Sequence, residues 1–452
     1  MKEKHNVEYF DTQNNINETS FSSLSKIQKI DYVACNSLVR EESFKKKVRA
    51  FWHNDNKIQD VFDQFSENTL TNYYLPYGVV PDILIDGKSY CVPMVTEESS
   101  VVAAAAKSAK FWRQRGGINT QVLSTTKVGQ VHFHWQGSSS IIQNFFDQSK
   151  QTLFQAFEPV NANMKNRGGG VKDIVLLDKT SEMDFYYQLF VTFETCDAMG
   201  ANFINSILEN LARNFSLLVA QNQALSDAGG VEIIMSIVSN YNPECMVRAF
   251  VECDVDELRE NDNYSGMEFA RKFQTALNIA KIDTYRAVTN NKGIFNGVDA
   301  LALATGNDFR AIEAAGHAYA ARDGKYKGLT KVEILNNRFY FQIEMPLALG
   351  TIGGLTLLHP MAKESLEMLG RPSARQLMGI MASVGLMQNF AAVKSLVTTG
   401  IQKGHMKMHL MNILITLEAS EYEKDLAKIQ FLNEVISYSA VRNFLQTLRQ
   451  YH

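Results

Sequence analysis

Two histidines, His405 and His409, stand four positions apart and would share one face of a helix, the spacing of a zinc-binding pair. The acidic residue that a metalloprotease motif places beside the first histidine is Met406 here, followed by Lys407, so no metal is expected. His132 and His134 alternate on one face of a strand-like run, QVHFHW, and read as half-buried surface residues. Glu97 and Glu98 open an Ala-rich helical stretch, where a carboxylate favours the positive end of the helix dipole. Lys292 lies between Asn291 and Gly293, a context that reads as a solvated loop. Neither GxGxxG after a strand nor GxxxxGK[ST] occurs, so the Rossmann and P-loop phosphate cradles are absent.

These side chains need a large scaffold. At 452 residues the chain exceeds one compact core, and two or three domains are expected. Apolar residues make up 45% and charged residues 21%, and a net charge of −3 gives no reason to expect a nucleic-acid or anionic-membrane partner. Five cysteines without a CxxC pair suit a reducing cytoplasm. The polar start MKEKHNVEYF lacks the apolar core of a signal peptide. The longest uncharged stretch, Met345 to Pro360, is short and glycine-interrupted, whereas a bilayer span needs about 20 apolar residues. A soluble protein is expected.

Along the chain, Phe21 to Phe65 has helical spacing, and Lys88 to Val95 reads as a strand leading into a helix from Glu98 to Arg115. Gln130 to Trp135, Asp173 to Leu177, Phe185 to Thr195 and Val231 to Val238 read as strands, with a helix opening at Asp197. This alternation, from about 124 to 243, has the size of a separate small domain. Met267 to Lys281, Asp308 to Ala321, Ser373 to Thr399 and Met406 to Leu417 read as helices, with Gly400 and Gly404 near the last joint.

Four segments carry a resemblance. They are VPMVTEESSVVAAAA (Val92 to Ala106), DAMGAN (Asp197 to Asn202), RAVTNNKGIFNGVDALALATGNDFRAIEA (Arg286 to Ala314) and GIQKGHMKMH (Gly400 to His409). In order and interval they resemble the landmark segments of 3-hydroxy-3-methylglutaryl-CoA (HMG-CoA) reductase, and the match runs over nearly the whole chain from Phe21. The NNKG wording and GH-containing tail resemble the bacterial class II branch. The resemblance implies an α+β fold: an arm at 1–20, a large HMG-CoA-binding and dimerisation domain at 21–123 and 244–399, and a flap at 400–452. Between the two halves of the large domain, at 124–243, it implies a small ferredoxin-like, non-Rossmann dinucleotide-binding domain.

The implied activity is reduction of HMG-CoA to mevalonate and CoA by two NAD(P)H in a cytoplasmic homodimer or an assembly of dimers. Oxidation of mevalonate by NAD is the alternative, and a non-catalytic CoA-ester-binding protein a remote one. Reducing a thioester to an alcohol takes two hydrides, a fixed cation at the oxyanion and protons for the carbonyl oxygen and the thiolate. By resemblance Lys292 stabilises the oxyanion, and Asp308, sixteen positions on, hydrogen-bonds that lysine while also suiting a helix N-cap. Glu98 is the implied proton donor, buried beside both, with Glu97 competing, and His405 protonates the CoA thiolate. Ser100, Arg286, Asn240 and Asn296 are the implied substrate residues, the guanidinium matching the free carboxylate.

Asp197, Met199, Gly200 and Asn202 are the implied cofactor residues at a helix start. Asn161 occupies the position where NADH-preferring members carry aspartate, so NADPH is favoured over NADH, with Lys165 and Arg167 able to supply positive charge. The chain departs from the family pattern at Ser99 for proline, at Asn291 for histidine before the lysine, and at Glu67 to Thr71 for an ENVIG-like segment.

Overall fold

The computed structural model describes residues 20–259, 265–398, 410–432, 434 and 436–450. The chain divides into two compact units, 1–76 and 77–452. The first holds α1 (Lys26–Asn36), α2 (Glu41–Ala50), which opens on the acidic Glu41 and Glu42 without a side-chain cap, and α3 (Asn56–Asp63). Ser25 and Gln28 form a reciprocal capping box, and Asp55 accepts from the N–H groups of Lys57 and Ile58. The Lys26 ammonium pairs with Asp63 at 2.7 Å, tying α1 to α3.

In the second unit, β1 (Tyr77–Ile85) and β2 (Lys88–Val95) form an antiparallel hairpin leading to α4 (Val101–Arg113). Then come β3 (Asn119–Val122), β4 (Lys127–Trp135), α5 (Ser139–Ala156), α6 (Glu158–Lys165), β5 (Gly170–Asp178) and β6 (Tyr186–Glu194). The run continues through α7 (Ala201–Gln221), α8 (Gln223–Asp227), β7 (Val231–Val238) and β8 (Met246–Asp254). Helices α9 (Gly266–Ile282), α10 (Thr284–Ala304) and α11 (Phe309–Ala320) precede β9 (Thr330–Leu335) and β10 (Arg338–Pro346). The rest is helical: α12 (Leu355–Leu358), α13 (Pro360–Met368), α14 (Ala374–Val397), residues 410–416, α15 (Glu421–Gln430) and α16 (Tyr438–Gln450).

Two four-stranded antiparallel sheets organise this unit, in the orders β5-β6-β4-β7 and β3-β8-β10-β9. The first is a β-α-β-β-α-β arrangement whose core contains Val131, Phe133, Leu189 and Val191. Helix α7 covers it with Ile204, Ile207, Leu208, Leu211, Phe215 and Val219, the spacing of one helical face. Fully burying each such side chain contributes roughly 1.5–3 kcal/mol, so this face is the main reason α7 lies where it does.

The larger core joins the second sheet to α4, α9, α10 and α14. Helix α14 is apolar on nearly every side, long enough to cross a membrane by length and composition. Its side chains instead fill this core, as those from Leu377 to Phe390 are buried. It packs close to α10 because the contact is lined with glycine. A Cβ on Gly297 would lie 3.0 Å from Val384 Cγ1, and one on Gly385 would lie 2.9 Å from Val298 Cγ2. A third cluster, with Leu410, Leu414, Phe431, Val441 and Leu445, holds the C-terminal helices together.

Candidate active site

Helix α10 carries most of the candidate chemistry. Asp283 caps its start by accepting from the N–H groups of Tyr285 and Arg286. Asn291 is fully buried, donating to the Lys327 carbonyl at 2.9 Å and accepting from the Leu329 N–H at 3.0 Å. The asparagine that departs from the family pattern thus locks α10 to the segment before β9. The next residue, Lys292, points the other way. It is a helix-interior residue, not the loop lysine that its Asn and Gly neighbours suggested, because the helix is fixed by tertiary packing.

Glu98 meets Lys292 from the β2–α4 turn. Lys292 Nζ lies 2.5 Å from Glu98 Oε2, across 194 positions of chain. The turn is held by the Glu98 N–H donating to Thr96 Oγ1 and by Ser100 in the left-handed region at φ 78°. A non-glycine residue there costs about 1–2 kcal/mol, a strain that the packed hairpin and helix on either side sustain. The expectation that Glu98 is buried is corrected: its side chain is 38% exposed and that of Lys292 is 59% exposed. The pair sits at an open surface because nothing among the described residues covers it.

Asp308 is the N-cap of α11, its Oδ1 accepting from the N–H groups of Arg310 and Ala311 at 3.1 Å each. It makes no hydrogen bond with Lys292 among the described residues; the lysine is turned to Glu98 instead. His405 and its flanks Gly400 and Gly404 lie outside the described residues, as does His409.

Of the candidate substrate residues, Arg286 and Asn296 are half-buried on α10 without side-chain partners among the described residues. Burial lowers the pKa of the Arg286 guanidinium, the signature of a cation held partly out of water with no anion beside it. Asn240 is exposed at the end of β7. It lines a small cleft together with Met199, Ala311, Ala315 and Ala348, so the DAMGAN segment and the helix capped by Asp308 border one space.

The cofactor candidates form a second group. Helix α7 starts at Ala201 and not at Asp197, after a left-handed Gly200 (φ 92°), and no side chain caps it. A Cβ on Gly200 would lie 2.5 Å from Thr195 Cγ2, so the turn needs glycine. Asp197 is diverted because its Oδ1 accepts from the Ala374 N–H at 2.7 Å, fastening the turn to the start of α14. Asn202 is exposed on the first turn.

Gly170 pairs with Glu194, at the end of the strand that leads into this turn, and a Cβ on Gly170 would lie 2.7 Å from Asn161 Oδ1. Asn161 is fully buried, not displayed to solvent: its Oδ1 accepts from the Val171 N–H at 3.1 Å, while its Nδ2 is buried without a partner. Lys165 is engaged by Glu158 at 2.7 Å, which leaves Arg167 as the cation of that loop without a side-chain partner among the described residues.

Two groups escaped the sequence reading. Asp299, seven positions beyond Lys292, is pushed up to about 8 by burial first and then by the carboxylates of Glu313 and Glu97. Its signal was a lone acid inside the apolar run VDALALA. Lys127, at the start of β4, is 4% exposed and donates to Thr195 Oγ1, Ala198 O and Leu349 O. It left no pattern, since one lysine before a strand is ordinary.

Residues 32–410 match the family model of hydroxymethylglutaryl-coenzyme A reductase. The chain is 35% identical to 3-hydroxy-3-methylglutaryl-coenzyme A reductase of Archaeoglobus fulgidus over 86% of each chain. It is 33% identical to a probable enzyme of that name from Borreliella burgdorferi over 88% of this chain and 89% of the other. Its structure resembles the class II reductase of Streptococcus pneumoniae bound to NADPH in open conformations, with a TM-score of 0.69 and 35% identity. That likeness covers 84% of this chain and 99% of the other.

Proposed function

Because the chain belongs to the hydroxymethylglutaryl-coenzyme A reductase family, on its class II branch, we propose that the Lys292–Glu98 pair is its reaction centre and that NADPH is its reductant. The enzyme is an oxidoreductase that reduces HMG-CoA to mevalonate and free CoA. The observation that carries the assignment of the centre is the contact itself, which sets a cation for the oxyanion beside a carboxyl group that can serve its oxygen once it has taken up a proton.

In this reading Lys292 binds the reacting carbonyl oxygen and holds the negative charge that develops on it. Glu98, in its protonated form, transfers its proton to that oxygen and is left as the carboxylate facing the lysine. Asp308 fixes the start of α11 and is taken as the carboxylate that acts through the lysine. His405 protonates the departing CoA sulfur. Arg286, which has no carboxylate partner among the described residues, takes the free carboxylate of the substrate, and Ser100, Asn240 and Asn296 orient the rest.

The residues at the start of α7 suit a dinucleotide. An uncapped 21-residue helix favours an anion at its N-terminus, and Met199, Gly200 and Asn202 border that end, with Asp197 bracing the turn. The guanidinium of Arg167 suits a ribose phosphate better than the bare hydroxyls of NADH, while the fully buried Asn161 braces the adjoining segment through its bond from the Val171 N–H. NADPH would supply the hydride when bound, two molecules of it being consumed per turnover.

The β-α-β-β-α-β order, with the third strand between the second and the first, supports a ferredoxin-like dinucleotide domain at 124–243 set into a large domain at 21–123 and 244–399. Residues 400–452 act as a flap, a homodimer is the working assembly, and the cytoplasm is the compartment. The test is steady-state oxidation of NADPH and of NADH with HMG-CoA. HMG-CoA-dependent turnover with the higher kcat/KM for NADPH supports the reading. No turnover with either cofactor overturns it, and a clear NADH preference overturns the cofactor assignment.

A further inference from the structure

We infer that Lys127 is a positioning residue that sets the cofactor turn against the loop carrying Asp308, and so aligns the two halves of the reaction. This rests on the assignment of 195–202 as the cofactor turn. Lys127 begins β4 and belongs to the small sheet by sequence, yet its ammonium bonds to two segments outside that sheet. It donates to Thr195 Oγ1 at 2.5 Å and to Ala198 O at 2.8 Å, both within the turn before α7. It also approaches Leu349 O at 3.5 Å, in the segment following β10 of the other sheet. Among the described residues, three neutral acceptors face this buried cation and no carboxylate is in contact with it.

A buried cation without a carboxylate is a costly way to join two segments, and burial lowers the pKa of this ammonium accordingly. Its retention is explained if the geometry it imposes matters more than stability. The surrounding contacts show how tight that geometry is. A Cβ on Gly350 would lie 2.5 Å from Met199 N, the Thr351 N–H donates to Asp197 O at 2.8 Å, and Ala198 bridges to Ile352. The Gly350 N–H also donates to Asn307 Oδ1 at 2.9 Å, and Asn307 immediately precedes Asp308. A continuous hydrogen-bonded path therefore runs from the cofactor turn, through Lys127 and residues 349–351, to the loop that caps α11. Lys127 touches neither of the proposed reacting groups, and it acts through the backbone carbonyls it gathers.

The experiment compares wild type with Lys127→Met, which keeps the chain's length but removes the donors. Dissociation constants for NADPH and for HMG-CoA are measured separately by fluorescence and calorimetry, well below the Tm of each protein, alongside kcat. The expected result is a Kd for NADPH weakened about tenfold and kcat lowered about tenfold, with the Kd for HMG-CoA changed less than twofold. A folded variant with both constants and kcat within twofold of wild type overturns the inference. So does equal weakening of both ligands, which marks a general structural role.

If Lys127→Met does not fold, Thr195→Val removes one of the three bonds and must show the same selective loss; unchanged binding there also overturns the inference. Wild-type binding is the control for the cofactor assignment: a wild type that does not bind NADPH brings down that reading, whereas a binding wild type matched by its variants brings down only the role of Lys127.

Discussion

The ammonium of Lys292 and the carboxylate of Glu98 meet at 2.5 Å, one from the middle of a packed helix and the other from a turn whose serine is held in a left-handed conformation. Each partner is anchored by different neighbours: Asn291 ties the helix down on the far side, and the hairpin fixes the turn. The pair is thus preorganised before any substrate arrives. Lys292→Ala should lower kcat for both hydride transfers by about 10²–10³ or more while leaving far-UV circular dichroism unchanged. Turnover at the wild-type level in that variant would place the reaction centre elsewhere.

His405→Gln should impair formation and cleavage of the thioester and largely spare reduction of free mevaldehyde, because only CoA departure needs a proton on sulfur. Rates on HMG-CoA and on mevaldehyde, measured side by side, check this. Equal losses on the two would assign the histidine a general role.

Asn161→Asp should raise the ratio of kcat/KM for NADH to that for NADPH. The present Oδ1 already accepts from Val171, so the second oxygen of an aspartate would replace the unpartnered Nδ2 with a buried negative charge that repels a 2′-phosphate. The same charge should lower the Tm of the ligand-free protein. An unchanged cofactor ratio would remove Asn161 from the cofactor site.

Asp299 makes stability depend on pH. Its folded-state pKa of about 8 stands above the ordinary 3.8, so the folded chain binds the proton more tightly than the unfolded one over that interval. Stability is therefore fully present below the unfolded value and falls as the pH rises towards and through 8. Asp299→Asn should flatten this dependence, giving a Tm closer to constant across that window than the wild type shows. Parallel wild-type and variant profiles would mean that the Asp299–Glu313 pair does not hold the proton.

Gly350→Ala should cost roughly 1–3 kcal/mol and raise KM for NADPH, since its Cβ would press on the backbone nitrogen of Met199, which cannot rotate away. Thermal melts and cofactor titration read the two effects. A variant as stable as wild type with an unchanged KM would show that the turn has room to move.

The sequence alone was enough to mark the four segments and most of the elements around them. Lys88–Val95 and Val231–Val238 fold as strands at the expected bounds, because alternation and β-branched content act locally. The apolar run after Ser373 likewise declares a helix with its capping box. What depends on distant partners was not legible. Nothing near Lys292 says that it lies within a helix, since that follows from glycine-lined packing against α14 and from Asn291 bonding to residues 327–329. The burial of Asn161, the diversion of Asp197 to α14 and the long-range bonds of Lys127 are of the same kind. Local propensity is written in neighbours along the chain, whereas burial and hydrogen-bond partners are set by residues brought together from tens or hundreds of positions away, and only the tertiary structure decides those.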